Sequence, residues 1–127
     1  MFDDPKGPIE HFEWGQYRIR GELHSMDGAG VGKDIFLSAE GVRAWKERKG
    51  HKLKPAMVEC MFPLGVEVLV IGCGVNAALK VLKKTRKAIK EAGVDEVIVA
   101  PTPEACRIYN QFYRQGRKVA LLAHGTC

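Results

Sequence analysis

Residues 66–74 read Val66-Glu67-Val68-Leu69-Val70-Ile71-Gly72-Cys73-Gly74. Val66 to Ile71 is a nearly continuous run of β-branched and aliphatic side chains. Such runs suit a strand buried on both faces. Gly72-Cys73-Gly74 ends it. Propensity predicts a basic helix from near Asn76 that closes at Ala92, with Gly93 as the residue just past its end. Glu96–Ala100 repeats the buried-strand pattern. Thr102-Pro103-Glu104 reads as a helix start, with Thr102 as N-cap and Pro103 in the first turn. Ala105, Ile108, Tyr109 and Phe112 supply one apolar face, and Gly116 ends the helix. Lys118–Ala123 is a last strand. The order β-α-β-α-β predicts parallel neighbours joined by crossovers.

Upstream, the pattern is β-rich. Ile9, Phe12 and Trp14 alternate with Glu10 and Glu13, and Tyr17–Arg20 follows after Gly15-Gln16. Met26–Gly32 is a Gly-rich loop. Lys33–Ser38 is a strand centred on Ile35-Phe36-Leu37, with Val42–Trp45 pairing back onto it. Leu23-His24-Ser25 does not read as a buried strand. A short helix is predicted over Pro55–Phe62, with Met57, Cys60 and Met61 on one face. The expected fold is a mixed α/β single domain over residues 1–127, with 1–8 as an N-terminal extension.

The 127 residues suffice for one core without staples. Hydrophobic residues are 46% and charged residues 28%, a balance that excludes disordered and collagen-like chains. No apolar run reaches the length that spans a bilayer. The N-terminus resembles neither a secretory signal nor a transit peptide. A cytoplasmic protein is expected. The four cysteines, Cys60, Cys73, Cys106 and Cys127, show no C-x-x-C spacing, so free thiols are expected.

Several motifs carry chemistry. Gly72-Cys73-Gly74-Val75-Asn76-Ala77 spells G-x-G-x-x-A after a strand. A dinucleotide site also needs an acid at the end of the next strand, but that strand ends Val99-Ala100-Pro101. Gly28–Lys33 resembles a P-loop, yet Asp27 stands where the first glycine belongs and Asp34 where the hydroxyl belongs. No cofactor is assigned. Cys73 precedes an expected helix N-terminus, a setting that lowers a thiol pKa, and His124 could pair with it across neighbouring strands. His124-Gly125-Thr126-Cys127 has H-x-x-C spacing. No second His/Cys pair completes a ligand set, so no metal ligand is assigned. Asn110 sits mid-helix, where its amide is expected to anchor a loop. Tyr109 is expected in the core with its hydroxyl at the edge.

The net charge of +5 is uneven: −1 over residues 1–50 and +6 over 51–127. Lys80, Lys83, Lys84, Arg86, Lys87 and Lys90 form a run without acids. Lys83, Lys84, Lys87 and Lys90 are the candidates for anion binding. No aromatic residue stands among them to stack bases, and a solvated helix face is the simpler reading.

The ordered set Val68–Gly74, Pro101–Ala105, Tyr109-Asn110, Gly116–Ala120 and His124–Cys127 resembles the adipogenesis-associated Mth-domain family (domain of unknown function 498). That family includes mitochondrial complex I assembly factor 3. The resemblance implies a compact three-layer β/β/α domain with a mixed sheet. It also implies a short extended piece at Leu79–Val81, with the basic helix starting near Lys83. Two residues depart from the family pattern: Cys73 where Thr is usual, and Gly125 where an apolar residue is usual. The implied role is that of an assembly factor, adaptor or regulator rather than an enzyme, with a protein partner, a second copy of the chain included. Nucleic acid is disfavoured. The alternative is a small-ligand or enzymatic pocket lined by Gly72, Cys73, Gly74, Asn76, Thr102, Asn110 and His124.

Overall fold

The computed structural model describes residues Met1–Cys127. Its centre is a five-stranded mixed sheet. The strands are β5 (Ile35–Ser38), β6 (Gly41–Ala44), β8 (Val68–Cys73), β10 (Glu96–Ala100) and β11 (Val119–His124), in the order β10-β8-β11-β5-β6. Strands β10 and β11 run parallel to β8 on its two sides, and β5 runs antiparallel to β11. Every residue of β8 and β11 is buried, which is what their unbroken apolar runs require.

The two faces of this sheet carry separate cores. On one face lies an antiparallel sheet of β1 (Phe2–Asp3), β2 (Ile9–Glu13), β3 (Gln16–Ile19) and β4 (Glu22–Ser25), together with α2 (Thr102–Arg114). Ile9, Phe12, Tyr17 and Ile19 pack there against Val68, Val70, Leu121 and Tyr109. On the other face lie α1 (Lys83–Glu91), two 3₁₀ turns (Pro55–Met57 and Glu59–Leu64), and the paired strands β7 (Lys52–Leu53) and β9 (Lys80–Val81). Trp45, Met61 and Ile89 pack there against Leu69, Ile71 and Leu122. Successive residues of β8 thus serve opposite cores, as the period of two demands.

Four local expectations need correction. Pro55–Leu64 forms 3₁₀ turns rather than an α-helix; Pro63 lies inside the second, and the Trp45 indole donates to Met57 O at 2.8 Å to hold the first. Residues 22–25 do form a strand, at the sheet edge, where a continuous apolar run is not needed. Trp14 lies on the β2–β3 turn and is about half exposed. Residues 1–8 do more than extend the chain. Strand β1 pairs with β2, and Asp4 accepts from Arg114 at 2.5 Å and from Asn110 at 3.1 Å. That salt bridge holds the Asp4 carboxyl below its usual range despite the opposing effect of burial. No helix is long and apolar enough to cross a membrane.

Candidate site at the carboxyl ends of the central strands

Helices α1 and α2 lie on opposite faces of the sheet, and β10 and β11 flank β8 on opposite sides. In open α/β sheets this reversal leaves a crevice outside the carboxyl ends of the central strands. Here that crevice lies beyond Cys73 and His124, which are register partners.

The inner part of the crevice is filled by protein. The Thr102 hydroxyl accepts from Gly74 N at 2.9 Å and donates to His124 O at 2.6 Å, fastening both strand ends to α2. Thr102 is therefore the first residue of α2, with Pro101 as N-cap, and its side chain does not cap the helix as expected. Gly72 tolerates this packing because a Cβ would sit 3.0 Å from Thr102 Oγ1 and 3.2 Å from Ala123 Cβ. Gly74, at φ +98°, faces the backbone of Cys127, which any Cβ would strike. Val75 N donates to Thr126 O, and Asn76 N and Ala78 N donate to Cys127 O. The glycines that spell a nucleotide fingerprint thus cradle this chain's own 124–127 segment.

The other sequence candidates separate. Cys73 is buried, and burial pushes its thiol pKa up rather than down. Its Sγ lies 3.2 Å from Ala100 O. No helix starts after Gly74: the chain turns and enters β9, so the dipole expected to lower the thiol pKa is missing. Asn76 is exposed at the rim. Asn110 lies about 12 Å along α2 from Thr102. Its amide accepts from Ile9 N at 3.0 Å and donates to Ile9 O at 2.8 Å. It anchors β2 and stands apart from the strand ends. Tyr109 is in the core, but its hydroxyl is buried without a partner rather than at the edge. Lys83, Lys84, Lys87 and Lys90 are all exposed along α1, while Thr85 and Ile89 face inward. Lys80 lies outside this helix, as the family pattern implied.

Outside the filled crevice, three donor side chains meet. His124 Nε2 lies 3.6 Å from Cys127 Sγ, and His51 Nε2 lies 3.3 Å from the same sulfur. The donor atoms of His51, His124 and Cys127 all fall within 4.8 Å of one another. His124 is buried, Cys127 half-buried and His51 exposed, so the group opens to solvent on one side. His51 escaped the sequence reading because it has no motif partner nearby. It reaches the site because β7, next to it, pairs with β9, and Lys80 N donates to His51 O at 2.7 Å.

Asp34 supports this group from the start of β5. Its Oδ1 lies 2.8 Å from His124 Nδ1 and 3.2 Å from Gly125 N. Its Oδ2 accepts from Arg48 Nε at 2.9 Å. Burial would raise the Asp34 pKa, but the hydrogen bonds from His124 and Arg48 and the nearby charges of Arg48 and Lys33 outweigh it. The carboxyl is held well below its usual range, so it accepts and Nδ1 of His124 donates. With Nδ1 donating to Asp34, the other ring nitrogen of His124, Nε2, faces Cys127 Sγ at 3.6 Å. The sequence placed Asp34 as a substitution in a failed P-loop; the fold uses it to orient a histidine.

Three surface concavities lie elsewhere. The largest, about 540 Å³, is lined by Ser38, Leu64, Val66, Tyr113 and Val119 among others, at the amino end of β11. That is roughly 16 Å along the strand from His124. None of the three includes His51, His124 or Cys127 in its lining.

Solved structures share the fold. A conserved hypothetical protein from Pyrococcus horikoshii superposes with a TM-score of 0.78 at 24% identity, over 94% of this chain and 98% of that one. A Bartonella henselae protein described as an outer membrane protein gives 0.77 at 21% identity, over 94% and 95%. A Bordetella parapertussis protein gives 0.74 at 20% identity, over 92% and 93%. At these identities the likeness is one of fold. A sequence profile for proteins of unknown function, DUF498/DUF598, matches residues 9–124. From β2 to the histidine that ends β11, the chain belongs to the DUF498/DUF598 family.

Proposed function

We propose that this protein is a non-enzymatic assembly or regulatory module, and that it acts through a ligand site at the His51–His124–Cys127 edge. The observation that carries this reading is the convergence itself. Side chains from two distant parts of the chain, His51 and the His124–Cys127 segment, meet at the mouth of the crevice where open α/β sheets bind ligands. The assembly role follows from the resemblance to the family of mitochondrial complex I assembly factor 3. In this reading, occupancy of the site alters attachment to a protein partner. The free thiols suit a reducing compartment, and the cytoplasm is the proposed one.

A second reading has one observation in its favour. Asp34, His124 and Cys127 stand in the order orienter, base, nucleophile. It predicts stoichiometric acylation of Cys127 by an activated ester, abolished in His124→Gln.

The test is native mass spectrometry of the untagged protein recovered gently from its own cells. The expected result is a bound species that His51→Ala removes while the fold persists. No bound species on the wild type, or one unchanged by His51→Ala, would contradict the site.

A further inference from the structure

We propose that His51, His124 and Cys127 bind a single thiophilic transition-metal ion of the zinc class. This deepens the reading of that edge as a ligand site and rests on it. Three arguments point to an ion.

The first is geometric. Zinc binds histidine nitrogen at about 2.0–2.1 Å and thiolate sulfur at about 2.3 Å, so a tetrahedral site sets each N···S pair about 3.5 Å apart. The two N···S separations here are 3.3 and 3.6 Å. The third donor pair, between the two histidines, lies within 4.8 Å. It should shorten to about 3.3 Å around an ion. His51 is exposed, so a small ring movement closes that gap without disturbing the core.

The second argument is the support behind His124. Histidine ligands usually donate their other ring N–H to a carboxylate, which fixes the tautomer and raises ligand basicity. Asp34 does this to His124 at 2.8 Å, and Arg48 and Gly125 N fix Asp34 in turn. A histidine that served only to fill space would need no such chain.

The third argument is the kind of ligand the place admits. No concavity surrounds the three donors, so an organic molecule would find little enclosure. An ion needs only the donors. Two imidazoles and a thiolate favour zinc or copper over magnesium or calcium, which prefer oxygen. Three protein ligands leave a fourth position for an exchangeable group.

Binding needs no redox partner. The thiol proton of Cys127 is released to solvent as the S–metal bond forms, and both imidazoles bind through neutral nitrogen.

The test is titration of the untagged, reduced full-length chain with Co²⁺, followed by displacement with Zn²⁺. The expected result is one equivalent bound, with visible bands of four-coordinate cobalt and a near-ultraviolet thiolate-to-cobalt band. The thiolate band should vanish in Cys127→Ser. Exposed His51→Ala should weaken affinity while leaving the circular dichroism unchanged. Asp34→Asn should weaken it on the order of 10–100-fold, as loss of a ligand's carboxylate support does. Absence of saturable binding, or binding indifferent to both His51→Ala and Cys127→Ser, would overturn the proposal. If neither ion binds but His51→Ala still strips a cell-derived ligand, the ion is wrong and the site stands. If that ligand is also missing, both fail.

Discussion

Asn110→Ala should be among the most destabilising single changes that touch no hydrophobic side chain. Asn110 is fully buried, and its amide pairs with both backbone groups of Ile9. Ile9 is itself buried at the start of β2, beside a shift in register between Ile9 and His11. Truncation leaves a backbone N–H and C=O without these partners, each costing about 1–3 kcal/mol. The better helix propensity of alanine returns about 0.6 kcal/mol. The net loss is about 3 kcal/mol. The unfolding entropy of a chain this size is roughly 0.27 kcal/mol per kelvin, so the melting temperature should fall by about 11 °C. Differential scanning calorimetry reads the shift. Hydrogen exchange at the Ile9 amide reads the local effect, which should be acceleration confined first to β1 and β2. A drop below about 3 °C, or an Ile9 amide as protected as before, would refute the accounting of these hydrogen bonds.

Further outcomes follow from the same structure. Thr102→Val keeps the volume but removes the bridge between Gly74 N and His124 O, and should cost about 2 kcal/mol in urea unfolding. Hydrogen bonds to Asp3 and then Glu13 raise the His11 pKa above its usual value. This contribution is fully present below about pH 6.5 and is lost as pH rises through the raised pKa. The stability difference between wild type and His11→Gln should therefore shrink from pH 6 to pH 9. It should stay under about 1 kcal/mol because the carboxylates are exposed. Timed alkylation of the native protein should label Cys127 before Cys73 and Cys106, which burial both shields and raises in pKa. Changing Lys83, Lys84, Lys87 and Lys90 to Gln should move stability by less than about 0.5 kcal/mol per site. The same variant should leave any weak oligonucleotide affinity unchanged.

The central sheet was legible because β8 and β11 are buried on both faces and therefore spell apolar runs, and the edge strand β10 carries a shorter run, Val97–Ala100, that is buried in part. The hairpin of β5 and β6 was legible from its turn. Strands β1, β4 and β7 escaped because edge or two-residue strands need no apolar pattern. Placing the start of α1 needed the family pattern, since Asn76–Leu82 carries no residue that forbids a helix. At the site, His124 and Cys127 were visible as an H-x-x-C pair. His51 and Asp34 were not, for they lie 73 and 90 residues away from His124 and meet it only through the tertiary fold. Cys73 misled because a glycine on either side looked like a turn into a helix. The structure instead spends those glycines on close packing against Thr102 and Cys127.

Anomalous diffraction tests the metal site most directly. Crystals of the full chain grown with Zn²⁺ should be measured on both sides of the zinc absorption edge. One anomalous peak is expected about 2.0–2.3 Å from His51 Nε2, His124 Nε2 and Cys127 Sγ. No peak there, with Cys127 Sγ still within hydrogen-bonding reach of His51 and His124, would contradict the metal site.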